Sequence, residues 1–250
     1  MTIDDIELPP RPTGVNAPST GPIDVGALPR TLFHDRRWQQ AVEQSFGLAI
    51  KQFVPKAEPT GRGHYSVVSD IRGERVICTP FSDFCDPLMG EEGWAEFAEH
   101  LRSYNLPVTV RPFRNQAVIA DTSFQRRSEL LWHGIGLDDG FDPFWEGLKS
   151  KMRTKIRRSR KEMTFRTSSS LADVELFHAM HVDLRKSKYG LLAQPFEFFA
   201  NLHESFGDDM VVLLAEYEGD PVAGMVYFEC DGVWYYKFGA SLPCLSLIHI

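Results

Sequence analysis

Apolar residues recur along the chain in two rhythms, and each switch between them marks an element. Trp38, Ala41, Val42 and Phe46 fall at helical spacing behind Asp35, a residue suited to cap a helix. Residues 48–54 (LAIKQFV) read as a strand, and 64–71 (HYSVVSDI) and 74–79 (ERVICT) flank Arg72-Gly73 as a hairpin. The helical period returns over 92–104 with Trp94, Phe97, Ala98 and Leu101 inward, and strands are expected at 107–113, 116–121 and 129–135. After the punctuation of Asp138, Asp139 and Gly140, the stripe Trp145, Leu148, Met152 and Ile156 predicts one long amphipathic helix over 144–161, with Asp142 as its cap. A strand follows at 164–168, then a helix over 171–188 with Leu171, Val174, Phe177, His178, His181 and Leu184 on or near one face. Pro195 takes the first position of another helix, with Phe198, Phe199, Leu202 and Phe206 inward. Strands at 210–217, 221–229 and 233–238 close the pattern, joined by tight turns at Glu218-Gly219-Asp220 and Asp231-Gly232. The second half thus reads strand, helix, helix, antiparallel meander, and the first half is a cruder version of that order. An α/β (α+β) fold with mixed sheets flanked by helices is predicted, and an internal duplication fits it, although no sequence repeat is visible.

Charge changes this picture in one place. The chain carries a net charge of −7 over 250 residues, which argues against a protein whose whole surface binds nucleic acid. Against that background Lys149, Lys151, Arg153, Lys155, Arg157, Arg158, Arg160 and Lys161 crowd one helix. Two readings compete: a solvated basic face helped by cations near a helix C-terminus, or a face offered to an anion. Residues 80–88 (PFSDFCDPL) hold two prolines, two aspartates and two aromatic residues, which neither a helix nor a central strand accommodates. They predict a shaped loop in which Ser82 and Asp83 either cap a turn or line a pocket. Cys78, Cys85, Cys230 and Cys244 are scattered without a close CxxC pair, so buried or free thiols are expected and a metal site is not. His178 and His181 are expected to flank a core helix. Residues 1–30, rich in Pro, Gly, Thr and Ser, predict a disordered lead-in. Their opening lacks the apolar centre of a signal peptide and no run is long enough to span a bilayer, so a cytoplasmic location is expected.

Four stretches together carry a family likeness: TLFHDRRW at 31–38, TPFSDFCDPL at 79–88, KMRTKIRRSRKEM at 151–163 and LLAEYEGDPVAGMVYFECDGVWYYKFGAS at 213–241. In this order they resemble the FemAB-like (FemABX) aminoacyl and peptidyl transferases, built from tandem GNAT-type acyltransferase domains. The subgroup found beside exopolysaccharide and exosortase systems is the most similar. The resemblance implies GNAT-like domains at 31–140 and 141–243. The closing LPCLSLIHI departs from the family pattern, so 244–250 is expected to be a non-native tail and the second domain to be incomplete, without a phosphate-cradling loop and with 233–238 as an exposed edge.

The implied activity is transfer of an acyl or aminoacyl group from an acyl-CoA-like thioester or an aminoacyl-tRNA to an amine of a peptidoglycan, cell-envelope or polysaccharide precursor. Donor and acceptor then both carry phosphates, tRNA is a possible partner, and no cofactor is bound permanently. Arg153, Lys155, Arg157 and Arg158 match the family's basic motif, with Arg157 and Arg158 foremost because guanidinium grips phosphate through two bonds. Arg185, Lys188 and Tyr189 match the acceptor-facing region, against the rival account of cations capping a helix end, and Ser82 and Asp83 would contact the acceptor. Tyr235 is the candidate proton donor or acceptor, against a merely packed aromatic; strict alternation puts it on one face with Lys237 and leaves Tyr236 on the other. No Ser-His-Asp or Cys-His arrangement is visible, so direct attack by the amine, helped by positioning, is the expected mechanism. Two other readings remain open: a non-catalytic RNA-binding module, and a degenerate GNAT fold acting as a structural partner in an envelope-assembly complex.

Overall fold

A computed structural model describes residues 30–130, 132–136 and 140–242. The expected lead-in (apart from Arg30), the Asp138-Asp139 punctuation, and the closing residues 244–250 with Cys244 lie outside the described residues. The chain divides between Arg127 and Ser128 into two compact units.

In the N-terminal unit Asp35 caps α1 (Arg36–Phe46), its carboxylate accepting the Arg37 N–H at 2.8 Å. A four-stranded sheet follows in the order β1 (Lys51–Phe53), β2 (Gly63–Asp70), β3 (Gly73–Ile77), β4 (Val108–Thr109), with β3 and β4 parallel and the other pairs antiparallel. The strands expected at 48–54 and 107–113 are therefore present but much shorter. The hairpin forms as expected, with Asp70 opposite Gly73 and Gly73 at φ 89°, a conformation glycine adopts without strain. α2 (Glu91–Arg102) lays Trp94, Phe97, Ala98 and Leu101 on the sheet, against Tyr65 and Val76. Gly63 is required there, because a Cβ at that position would lie 2.5 Å from the Phe97 ring.

Two expected strands in this stretch do not form. Residues 116–121 begin instead with α3 (Gln116–Ile119), because the Asn115 side chain accepts the Ala117 and Val118 N–H groups and so caps a helix. The residues described within 129–135 form no strand: Leu130, Trp132 and Ile135 are all exposed, leaving the run no core to alternate against.

The C-terminal unit corrects the central helix. The stretch expected to be continuous is two helices, α4 (Phe141–Gly147) and α5 (Ser150–Glu162), broken where Leu148 and Lys149 turn extended (ψ 140° and 139°). Neither helix buries a residue completely, and Met152 is half exposed, so the apolar stripe lacks the continuous packing partner that would have held one long helix. Gly147, a poor helix former, ends α4. Gly140 occupies the cap position and Asp142 lies in the first turn.

The rest follows the reading closely. β5 (Thr164–Ser168), β6 (Met210–Tyr217), β7 (Asp220–Cys230) and β8 (Val233–Ser241) form an all-antiparallel sheet in chain order, with α6 (Leu171–Tyr189) and α7 (Phe196–Phe206) inserted between β5 and β6. Pro195 is the residue before α7 rather than its first. Both hairpin turns use two successive left-handed residues, Glu218-Gly219 and Asp231-Gly232, as the right-handed twist of paired strands favours. Phe177, Phe198, Phe199 and Leu202 are fully buried with Val226 and Phe228 of the sheet. Arg166 on β5 is clamped by both Asp173 oxygens (2.7 and 2.8 Å) and by Glu216 (2.7 Å), tying α6 and β6 to the edge strand.

The architecture is thus mixed α/β, two sheets each flanked by helices. Among the described residues no helix is long and apolar enough to cross a membrane.

Candidate functional site

In the C-terminal unit Tyr235 lies on the last strand, and α6, which ends in Lys188 and Tyr189, packs against it, whereas α5 packs against β5 at the other edge of the sheet. β7 and β8 pair with a bulge: Val226 faces Phe238 but Tyr227 faces Tyr236, so Lys237 is the extra residue. The bulge resets the alternation that the sequence suggested. Tyr235 lies opposite Phe228 and so joins the inward face of Phe228 and Phe238, while Lys237 is parted from it. Tyr236, 57% exposed, holds the outward face beside Tyr227, their rings 5.6 Å apart. Its hydroxyl rests on Gly239: a Cβ there would stand 2.0 Å from it. Partial burial and the neighbouring Tyr189 phenol push the Tyr236 hydroxyl above its ordinary value, so it stays protonated at neutral pH.

Tyr189 and Lys188 close α6, with the Lys188 ammonium 5.4 Å from the Tyr189 ring. Arg185 is turned to a different use. It donates from Nε and Nη2 to the Leu192 carbonyl (3.3 and 3.1 Å), holding the loop that leaves the helix. His178 and His181 hold the same loop, bonding the Gln194 carbonyl at 2.9 Å and the Gln194 Oε1 at 3.0 Å. Among the described residues no group of three or more His, Cys, Asp or Glu is placed to hold a metal ion.

Gly239→Ala separates structure from function at this strand. The clash is with the free end of an exposed side chain, so stability should change by less than about 0.5 kcal/mol. Tyr236 must swing away, and transfer kcat/KM should fall at least about tenfold if its hydroxyl serves the reaction. Thermal melting read beside steady-state kinetics checks both halves.

The basic helix offers its cations with light restraint. Arg153 donates to the Glu146 carbonyl at 3.1 Å, Arg157 lies 5.4 Å over the Trp145 ring, and Arg158 pairs with Glu162 at 2.8 Å. The Lys155 side chain is exposed, and its backbone carbonyl accepts the Ser159 hydroxyl at 3.1 Å. An exposed i,i+4 pair is worth only about 0.3–0.5 kcal/mol, which a phosphate can outbid.

In the N-terminal unit the loop after β3 is built with unusual force. Thr79 (φ 54°) and Phe81 (φ 59°) are left-handed without being glycine, a cost of order 1–3 kcal/mol each that persists only where the surroundings impose it. Ser82 donates to the Thr79 carbonyl at 2.6 Å, so this hydroxyl shapes the turn, as one of the two sequence readings held. Asp83 is exposed beside it. The buried anchor is Asp86, whose carboxylate accepts the N–H groups of Phe113, Arg114 and Asn115 at 2.8, 2.9 and 3.1 Å. Asn115 in turn donates to the carbonyls of Pro87 and Met89 at 2.7 and 2.9 Å. Neither Asp86 nor Asn115 is announced by the periodic pattern; an Asn directly before four helix-compatible residues is the one signal in the sequence that points to this anchor.

The same loop meets His34, whose ring stands 6.3 Å from that of His64. His34 Nε2 bonds the Asp86 carbonyl at 2.7 Å and its Nδ1 accepts the Thr31 N–H at 3.0 Å, an arrangement that suits the neutral ring. Burial lowers its pKa. Burial, then His34 and the neighbouring arginines, lowers His64 from 6.5 to about 4. The sign follows: between those two values the unfolded chain binds a proton that the folded one refuses, so stability is complete above pH 6.5 and is lost as pH falls toward 4. Each pH unit of such a gap is worth about 1.4 kcal/mol, giving a loss of about 3 kcal/mol in the N-terminal unit. Denaturation at stepped pH should show it, and His64→Gln should flatten most of the slope.

The comparisons with known proteins meet this geometry. Residues 147–246, which hold α5 to α7 and the whole second sheet, match the acetyltransferase (GNAT) domain family. No curated protein matches the chain. Among solved structures, one described as the crystal structure of FemX superposes with a TM-score of 0.57 at 11% identity, over 88% of this chain and 77% of that one. The C-terminal domain (DUF2156) of a putative lysylphosphatidylglycerol synthetase from Agrobacterium fabrum aligns at 12% identity with a TM-score of 0.45, over 84% of this chain and 65% of that one. At such identity the FemX likeness is a likeness of fold.

Proposed function

We propose that this FemAB-like protein, with a GNAT acyltransferase domain in its C-terminal unit, moves an acyl or aminoacyl group from an acyl-CoA-like thioester or an aminoacyl-tRNA to an amine of a cell-envelope precursor in the cytoplasm. The observation that carries the reading is the acetyltransferase match over the bulged sheet of that unit. In the reaction the amine nitrogen attacks the donor carbonyl, a C–N bond forms, and the C–S or C–O bond to the carrier breaks. The amine loses a proton and the leaving thiolate or alkoxide takes one. Tyr236, protonated and on the open face, is placed to give that proton, a role the sequence had pointed toward Tyr235. The Tyr189 phenol neighbours Tyr236, and the cations of α5 suit the donor's phosphates.

The test is transfer by the full chain from labelled acyl-CoA and, separately, labelled aminoacyl-tRNA to amine-bearing envelope precursors. Arg157→Gln with Arg158→Gln should raise KM for the donor about tenfold or more, since charge-assisted phosphate contacts are worth about 1.5–3 kcal/mol each. Tyr236→Phe should lower kcat and leave that KM near its starting value. Absence of transfer from both donor classes to every amine would sink the proposal. tRNA binding without transfer would favour the RNA-binding reading instead.

A further inference from the structure

The end of α6 and the loop after it carry apolar side chains that the fold turns away from its core. Gly190, left-handed at φ 60°, ends the helix, and the Arg185 carbonyl accepts the N–H groups of both Gly190 and Leu191, the latter at 3.0 Å. The Arg185 guanidinium in turn donates to the Leu192 carbonyl at 3.3 and 3.1 Å. Two residues further on, His178 and His181 hold Gln194 through its carbonyl and its side chain. The backbone of the loop is thus fixed at several points, and its leucines are exposed by construction: Leu192 by 92% and Leu191 by 52%, beside Tyr189 at 53%. A loop without these bonds would turn two leucines toward the nearest apolar cover. Single exposed apolar residues are ordinary, but three close together on a fixed backbone make a contact surface. Cations surround it. The Lys188 ammonium stands 5.4 Å from the Tyr189 ring, and Lys186, three residues before Tyr189 on the helix, shares its face. In a chain of net charge −7, no acid lies between Asp183 and Glu197 in the sequence.

We propose that the end of α6 and the loop after it dock on the surface of an anionic lipid bilayer, with Leu191 and Leu192 inserted and Lys186 and Lys188 drawn to the charged headgroups. Leucines at the tip of a fixed loop suit the boundary between headgroups and acyl chains, about 5–10 Å deep. Tyr189, apolar in its ring and polar at its hydroxyl, fits the headgroup level above them. The lysine stems lie along the apolar layer while their ammonium groups reach the lipid anions. Apolar insertion and charge act together here, where either one alone gives only marginal, reversible contact. A nucleic acid would use the cations and leave both leucines in water. A second copy of the chain, meeting this one about a two-fold axis, would set the same cations against each other. Docking requires no transfer, so it stands apart from the transferase reading.

Co-sedimentation of the full chain with lipid vesicles tests the proposal. Binding is expected to vesicles of phosphatidylglycerol and phosphatidylcholine in equal parts, and at least about tenfold weaker binding to phosphatidylcholine alone. Leu191→Ser with Leu192→Ser, both exposed positions, should weaken binding to the mixed vesicles at least about tenfold while the melting temperature holds. Ile71→Ser, which removes an equally exposed apolar residue from the hairpin tip of the N-terminal unit, should leave it unchanged. Raising the salt from about 0.01 M to about 1 M shortens the screening length from about 30 Å to about 3 Å and should release much of the bound protein. Absence of binding to the mixed vesicles, equal binding by the Leu191/Leu192 variant, or an equal loss in Ile71→Ser would each overturn the proposal. So would a dimer in size-exclusion chromatography that the Leu191/Leu192 variant abolishes while vesicles remain unbound, since the surface would then belong to a second copy. Binding is measured without transfer, so its failure and that of the transferase reading are separate results.

Discussion

Asp86→Ala is expected to lower the stability of the N-terminal unit by about 3–4 kcal/mol. The carboxylate accepts three backbone N–H groups from Phe113, Arg114 and Asn115 in a site only 3% exposed. Removing it leaves those donors buried without a partner, and one such orphan costs about 1–3 kcal/mol. The sum stays below three full penalties because water can enter the space that the side chain vacates. The damage should spread in a definite order. Asn115 loses the bond that fixes its backbone, then its side-chain hold on Pro87 and Met89, and then its cap on α3. The left-handed Thr79 and Phe81 would relax, since the loop that imposes them is no longer anchored. Urea denaturation should show a lower midpoint with a similar slope, and Asp86→Asn, which keeps an acceptor oxygen, should recover part of the loss. An unchanged midpoint would mean that the loop is held by something other than this carboxylate.

That anchor illustrates what the sequence could and could not convey. Trp94, Phe97 and Leu101, or Phe198, Phe199 and Leu202, announce a buried helix face because the period is local and the core is reached by every member of it. The two left-handed turns of the meander are announced by Glu-Gly and Asp-Gly for the same local reason. Asp86 and its donors are 27 to 29 residues apart, and Arg166 and Glu216 are 50 apart, so neither partnership leaves a periodic trace. The break at Leu148 was hidden for a subtler reason. The stripe Trp145, Leu148, Met152, Ile156 has the right period, but period alone does not say whether a partner surface exists along its full length. The bulge at Lys237 was equally silent: one inserted residue exchanges Tyr235 for Tyr236 on the open face, and alternation counted from the sequence steps over it. The candidate site was therefore legible as a set of segments, and its facing was not.

Phe199→Ala is expected to cost about 3–5 kcal/mol in the C-terminal unit, the usual range for deleting a fully buried ring. Phe199 is 0% exposed and its ring lies 4.9 Å from Phe238, 5.9 Å from Phe177, 5.6 Å from His181 and 5.2 Å from His178. It is the point where α7, α6 and the edge strand β8 meet. Among the described residues β8 is paired along one side only, by β7, and Phe238 is its large inward anchor beyond the bulge. Loss of Phe199 should thus be felt first at β8, with backbone amides of Val233–Ser241 exchanging with solvent far sooner than those of β6. His181 would lose one wall of the ring cage that presents its Nε2 to Gln194, loosening the loop after α6 as well. Transfer should then fall by more than the folded fraction alone explains, because Tyr236 and Gly239 ride on the strand that is released. Phe199→Leu, which keeps most of the volume, should recover much of the stability and the exchange protection. If amide exchange in β8 were unchanged in Phe199→Ala while the whole unit lost stability, the strand would be held chiefly by its pairing to β7, and the geometry of Tyr236 would not depend on the helices beneath it.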